Sequence, residues 1–269
     1  MPDPSRGERL RSLGELTWAL TRRELAARFR GSLLGMAWLV INPLLMLLTF
    51  TFVFGVVFQA RWSGADAGVS IAEFAVILFV GLTTFQLFAD VANRAPLLIV
   101  GNANYVKKIV FPLQVLPVVS VGAALFQAVV GFALAVPAVW LVTGTLPATA
   151  LLVPVVLAPF VAMTLGVAWF LAGLGTYVRD VAQVTTSLVT MLLFVSGIFF
   201  PLADLPEWVQ GWVLLSPATL PVDMVREVLV FGNMPDWGAL GWYSFAALAV
   251  GMAGLGFFQM VRRGFADVL

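Results

Sequence analysis

Uncharged, largely apolar stretches fall at 31–60, 74–89, 109–178, 181–203 and 237–261. A helix needs roughly 20 apolar residues to cross a bilayer core, so the 109–178 stretch must hold two spans. The segment TGTLPAT, 143–149, supplies the turn-like break at the right place. The pattern predicts six helices at about 34–58, 72–92, 113–142, 149–177, 182–200 and 239–261. The interval 201–236 is long for a simple loop. Its PEWVQGWVLLSP and TLPVDMVREVLVFG read as two short amphipathic helices, bounded by Pro and Gly, that dip into one leaflet.

Ahead of the first span, Ser12 and Glu15 have the spacing of a capping box and predict a helix from about 13 to 30. Leu13, Leu16, Leu20 and Ala27 share one side, Trp18, Leu25 and Phe29 another, with arginines between. Such a helix, lying in the headgroup layer, would bury one stripe in lipid and offer the other to a partner; a positive-inside topogenic flank with some helicity is the alternative. The chain therefore divides into an interfacial segment 1–32, a membrane domain 33–261 and a short tail 262–269.

Composition makes the membrane reading firm. Of 269 residues, 61% are hydrophobic and 11% charged, with a mean hydropathy of +1.00, against about a quarter charged in a soluble domain. With the N-terminus in the cytoplasm, every Lys and Arg except Arg61 and Arg226 falls inside, thirteen against two, a clear positive-inside asymmetry. The first apolar run starts too far along and is too long for a cleaved leader, so it is expected to serve as an uncleaved anchor.

The chemistry is narrow. Cys and His are both absent, which removes thiolate nucleophiles, imidazole bases and the usual zinc ligands. No cofactor or metal is expected in this chain, and no nucleic acid partner. Lys107 and Lys108 do not follow Gly, so there is no normal phosphate-binding P-loop. Glu73, Asp90 and Asp180 sit at predicted span ends, leaving none of the deep carboxylates that ion-coupled carriers keep. Uphill transport would need energy from a separate subunit.

RELAARFRGSLLGMAWLVINPLLMLLTFTFVFGVVF (23–58), NANYVKKIVFPLQVLPVVS (102–120) and RDVAQVTTSLVTMLLFVSGIFFPLADLPEWVQGWVLLSPATLPVDMVREVL (179–229) resemble, in order and spacing, ABC-2-type permeases that export polysaccharides. The likeness is nearest to O-antigen permeases and their relatives for teichoic acid, galactan and capsule. It implies an all-α integral membrane protein of the type V exporter fold, with six spans, an interfacial helix and a re-entrant pair before the last span. It also implies a homodimer around a channel, multi-pass in a bacterial inner membrane with both termini cytoplasmic. A cytoplasmic ATPase subunit that carries ATP and Mg would bind each copy.

By the same resemblance, the connection 93–112 docks into the ATPase through Arg94, Leu97, Leu98, Ile99, Asn102, Asn104 and Tyr105, with Arg179 nearby. A loop packed on its own helices is the alternative, as a topogenic charge is for Arg179. The pair at 201–236 becomes an outer gate, with Trp208 and Trp212 as interfacial anchors. Asp223 and Arg226 pair within one turn of it or form a solvated face. Phe50, Phe54 and Phe58 on the first span and Phe194, Phe199 and Phe200 on the fifth line a channel for sugar rings or pack against lipid and neighbouring helices. Arg22, Arg23, Arg28 and Arg30 would meet an anionic diphosphate-lipid headgroup. Rival readings are an ABC-2 drug or small-lipid exporter, a membrane-embedded transferase and an assembly scaffold.

Overall fold

The computed structural model describes residues 6–28, 30–57, 70–107, 111–202 and 205–269, with the side chains of 6–12 and 107 outside that description. Phe58, Arg61 and Lys108 lie outside the described residues. Those that are described form helices and connecting turns without strands. In order they are α1 (Arg6–Arg28), α2 (Trp38–Phe50), α3 (Ile71–Arg94), α4 (Ala103–Lys107), α5 (Val115–Thr143) and α6 (Val153–Tyr177). There follow α7 (Val181–Val195), α8 (Glu207–Leu214), α9 (Thr219–Arg226), α10 (Trp237–Val261) and α11 (Phe265–Val268).

Among the described residues, five helical stretches are long and apolar enough to cross a bilayer: Gly35–Val57, Ile71–Leu97, Val115–Thr143, Ala148–Tyr177 and Trp237–Val268. The first continues beyond α2 as a π-helical segment, Thr51–Val57. The sixth expected span, 182–200, is shorter than its pattern suggested. Helix α7 has 15 residues, roughly 22 Å at 1.5 Å per residue, and residues 196–200 leave the helix through a turn at Gly197, φ 66°. The N-terminal helix starts earlier than expected: Ser12 and Glu15 lie inside α1, so they do not mark its beginning. A capping box does open α3, where Ser70 accepts from the Glu73 amide and Glu73 accepts from the Ser70 amide.

Helix α3 is the centre of the bundle. It packs against α2, α5, α6, α7 and α9, and Phe74, Leu78, Val80, Phe85 and Phe88 are all buried. A helix without charge over most of its length belongs in a protein core or in lipid, and α3 occupies the core. The sequence between Glu73 and Asp90 fits that position because it contains no charge. By contrast, α2, α5 and α10 each leave large apolar side chains exposed, among them Leu48, Trp140 and Phe245, as lipid-facing helices do.

Where helices meet most closely, a glycine allows it. A Cβ on Gly166 of α6 would stand 2.7 Å from the Gly251 backbone of α10, and one on Gly254 would strike the Gly166 carbonyl. Without a hydrophobic driving force between helices in lipid, such backbone approach supplies the packing energy. Gly251 lies on this seam, with the buried Ala247 one turn before it on α10. Substitution Gly166→Val should force α6 and α10 apart and cost about 1–3 kcal/mol. A lower thermal unfolding midpoint in detergent, relative to Gly256→Ala at an open position, is the expected result.

Candidate functional site

The end of the bundle that carries α1, α4 and the α6–α7 turn is rich in charge. Arg28 Nη1 donates to Asp90 Oδ2 at 2.8 Å, and Arg94 Nε donates to Asp90 Oδ1 at 3.0 Å. Glu24 Oε1 stands 3.9 Å from both Arg28 Nε and Arg94 Nη1. Two arginines and two carboxylates thus cancel, and the network ties α1 to the end of α3. Arg28, expected to meet a lipid headgroup, is instead a structural partner of Asp90 with its side chain 8% exposed. Arg22, Arg23 and Arg30 remain exposed. Glu24 was missed in the sequence because, besides Arg28 one turn on, its second partner Arg94 lies on α3, far along the chain.

The neighbouring connection is short-helical and partly sealed. After the turn at Ala95–Leu97, Leu97 is half exposed and Leu98 partly so, and Asn102 Nδ2 donates to the Leu98 carbonyl at 2.9 Å. Ile99 is not part of an exposed patch: it is wholly buried with Leu116, Ala172, Phe258 and Phe265. The helical turn that points Leu97 outward turns Ile99 inward. Tyr105 stacks on Phe111 with ring centroids 4.6 Å apart and accepts a hydrogen bond from Arg23 at 3.1 Å, joining α1 to the connection. Asn104 and, in the α6–α7 turn, Arg179 are exposed. Leu97, Asn104 and Arg179 therefore offer an accessible surface, while Ile99 holds it from beneath.

At the opposite end the two short helices appear as α8 and α9, the latter extended by a π-helical turn, Glu227–Phe231. Arg226 does not form a solvated face. It is 1% exposed, and its guanidinium donates to three carbonyls: Ile77 at 3.1 Å, Gly197 at 2.8 Å and Ile198 at 2.6 Å. Gly81 makes room, since a Cβ there would collide with Arg226 Nη2 and Cζ. Asp223 is half-buried one turn earlier. A fork of five donors suits this role: it captures the Gly197 and Ile198 carbonyls, which lie in the non-helical turn just past the end of α7, together with that of Ile77. Trp208 and Trp212 are strongly exposed on one side of α8, where indoles suit a membrane interface.

The phenylalanines converge. Phe199 is buried at the hub, with ring centroids 4.4 Å from Phe54, 5.0 Å from Phe50 and 5.4 Å from Phe194. Phe194 is half exposed and Phe200 packs on the main core. The cluster binds the first span to the segment after α7 within one chain.

Beside the charged network lies a cavity of about 640 Å3, walled by α2, α3 and α5 and lined by Arg28, Asn42, Thr83, Gln86, Asp90 and Gln127 among others. The spans hold few polar side chains, and these were not grouped in the sequence because they come from three separate helices. The described residues hold no cluster of His, Cys, Asp or Glu suited to a metal ion.

A sequence profile of the ABC-2 type transporter family matches residues 15–230. The chain belongs to this family. Relatives align over nearly their whole length. The O-antigen export system permease protein RfbA of Klebsiella pneumoniae is 24% identical, covering 96% of each chain. The protein of the same name from Myxococcus xanthus is 27% identical over 93% of each. The polysialic acid transport protein KpsM of Escherichia coli is 24% identical over 90% of this chain and 91% of its own. Within this ABC-2 chain, the family match takes in the charged network, the connection and Arg226 alike.

Arg226→Met removes donors from three buried carbonyls, and hydrogen bonds to a charged group contribute roughly 1.5–3 kcal/mol each. A large fall in thermal midpoint is expected, with Arg226→Lys between it and wild type, because an ammonium is a point charge rather than a fork. Gly81→Ala should reproduce the loss without touching the arginine. An unchanged midpoint in all three variants would show that the guanidinium bears no part of the stability.

Proposed function

We propose that this chain is the membrane-spanning subunit of an exporter that moves a lipid-linked polysaccharide across the inner membrane, energised by a separate ATPase. The observation that carries the reading is the full-length likeness to O-antigen and polysialic acid permeases within the ABC-2 family. The chain does no covalent chemistry of its own. The spans, with α7 and the segment after it counted as the sixth, are arranged in the bilayer with both termini cytoplasmic, and two copies enclose the path on their axis. An ATPase subunit with ATP and Mg binds each copy.

In this reading the exposed part of 93–112, with Leu97 and Asn104, and Arg179 in the neighbouring turn, form the surface that receives the ATPase. Arg22, Arg23 and Arg30 meet the anionic membrane surface. Helices α8 and α9 with the Phe199 cluster close the outer mouth. The half-exposure of Leu97 above the buried Ile99 supports the docking role: an apolar side chain held up from a rigid base is what a partner pocket can grip.

Depletion of the protein should leave lipid-linked glycan on the cytoplasmic face, measured by its accessibility to impermeant glycosidase in spheroplasts and inverted vesicles. Wild-type protein restores export. Leu97→Asp should be present at normal level yet fail to restore export or to co-purify the ATPase. Ile99→Ala should instead lower the amount of folded protein, by a core loss of about 2–5 kcal/mol. Normal glycan sidedness after depletion overturns the polysaccharide reading.

A further inference from the structure

The cavity walled by α2, α3 and α5 is unlike the rest of the membrane domain. Asn42, Thr83 and Gln86 line it, and none of these side chains makes a hydrogen bond among the described residues. The contrast with neighbouring hydroxyls is informative. Thr84, Thr164 and Thr176 each donate to the carbonyl one turn back at 2.8–2.9 Å, the usual way a threonine satisfies itself inside an apolar helix. Thr83, 8% exposed, does not. Gln127 has only a long contact of 3.5 Å with Arg28.

Depth makes this costly. Counting back along α3 from Arg94 at 1.5 Å per residue, Gln86 lies roughly 12 Å and Thr83 roughly 16 Å from the helix end, close to the middle of a hydrocarbon core about 30 Å thick. Polar groups at that depth without partners cost several kcal/mol unless something in the cavity satisfies them. The lining chemistry limits what that is. At the mouth, Arg28 and Arg94 are matched by Glu24 and Asp90, so there is no net positive charge to draw a phosphate. Above the mouth stand two carboxamides, from Asn42 and Gln86, the Gln127 amide, a free hydroxyl and the Trp38 indole. Neutral groups that both donate and accept, beside an aromatic ring and a carboxylate, recognise vicinal hydroxyls. The volume of about 640 Å3 lies within the usual range for small-molecule pockets.

We propose that this cavity is a sugar-binding site within each protomer, holding one or two neutral glycosyl units of the cargo between α2, α3 and α5. The proposal rests on the polysaccharide reading and adds where, and by which side chains, sugar is held. Asn42, Gln86 and Gln127 give and take hydrogen bonds with ring hydroxyls, Thr83 closes the deep end and Trp38 stacks near the mouth. Carboxamides bind hydroxyls of many stereochemistries, which suits transient passage better than tight capture.

The test uses the full chain with its ATPase partner in the cells that make the glycan. Benzophenone is introduced by Met46→p-benzoylphenylalanine, a cavity-lining position, and, as control, by Phe245→p-benzoylphenylalanine on the exposed face of α10. After irradiation, periodate-reactive carbohydrate should be attached to the protein from the first position and not from the second. Asn42→Leu and Gln86→Leu remove groups that have no hydrogen-bond partner among the described residues, so the folded amount and thermal midpoint should hold or rise. Crosslinked carbohydrate should fall about tenfold with the pair of changes, equivalent to ~1.4 kcal/mol, and surface glycan should fall with it.

Phosphate-labelled adducts without carbohydrate at Met46 would overturn the proposal in favour of a headgroup site, and no adduct beyond membrane lipid would leave only water in the cavity. A midpoint that drops with Asn42→Leu or Gln86→Leu would make these residues structural and also overturn it. The two readings fail separately. Export that continues after depletion of the whole protein removes the exporter reading, whereas export that needs the protein but tolerates both leucine variants removes the sugar site alone.

Discussion

A single buried cation organises one end of the molecule. Past the end of α7 the turn at Gly197 carries carbonyls outside any helix, and in an apolar environment each unsatisfied carbonyl is a large penalty. Arg226 resolves it by donating to Gly197 and Ile198 while also reaching Ile77 on α3. One side chain therefore ties α9, the central helix and the segment after α7 into one body. Further bonds extend it: Ser196 and Ser216 hydroxyls pair at 2.6 Å, Thr149 donates to the Val228 carbonyl, and Tyr243 donates to the Pro217 carbonyl. A short helix such as α9 has too little length to be stable alone. It holds its place because its arginine is anchored and its apolar face is buried on α3 and α6.

That body constrains where movement at this end can occur. Helix α9 cannot shift against α3 without breaking bonds to a charged group. The first span meets the same body through apolar packing on α3 and through aromatic rings, Phe50 and Phe54 on Phe199, without an ionic bond among the described residues, and its final turns are π-helical. Stacked rings slide at little cost compared with ionic hydrogen bonds, and π-helical turns are a common site of local rearrangement. The seam between the first span and the Arg226 body is thus the softer of the two.

Much of this architecture was legible in the chain. Charge-free length marked the five long helices to within a few residues, because bilayer thickness sets a length that composition must obey. The short helices α8 and α9 were readable from their Pro and Gly bounds. The end of α7 was not, since residues 196–200 are as apolar as the helix before them and only the turn at Gly197 shows the break. The burial of Arg226 was hidden for a related reason: the i, i+3 spacing with Asp223 describes neighbours on one helix, whereas its donors are used on carbonyls 28 to 149 residues away. Ile99 was misplaced because a run of four apolar residues does not say which of them faces inward. The cavity was invisible, as its polar residues are single letters in three separate apolar runs.

The charged end follows a different physical logic from the Arg226 end. Asp90 is shared: one oxygen holds Arg28 of α1, the other holds Arg94, which begins the turn leading to Leu97. Beneath that turn, Gly175 of α6 lets the backbones touch, since a Cβ there would run into the Pro96 carbonyl and Cα. A displacement of residues 95–97 is thus passed to α6 by steric contact and to α1 through Asp90. The ion pairs that would strain are also the mouth of the cavity. The contacts of Glu24 with Arg94 are partly exposed and contribute little alone, whereas Arg28 and Asp90, with side chains 8% and 14% exposed, form a largely buried pair that is costly to break. The contacts that exchange at small cost at this end are thus those of Glu24 with Arg94, whereas the Arg28–Asp90 bond holds α1 to α3 as firmly as buried hydrogen bonds hold Arg226 at the other end.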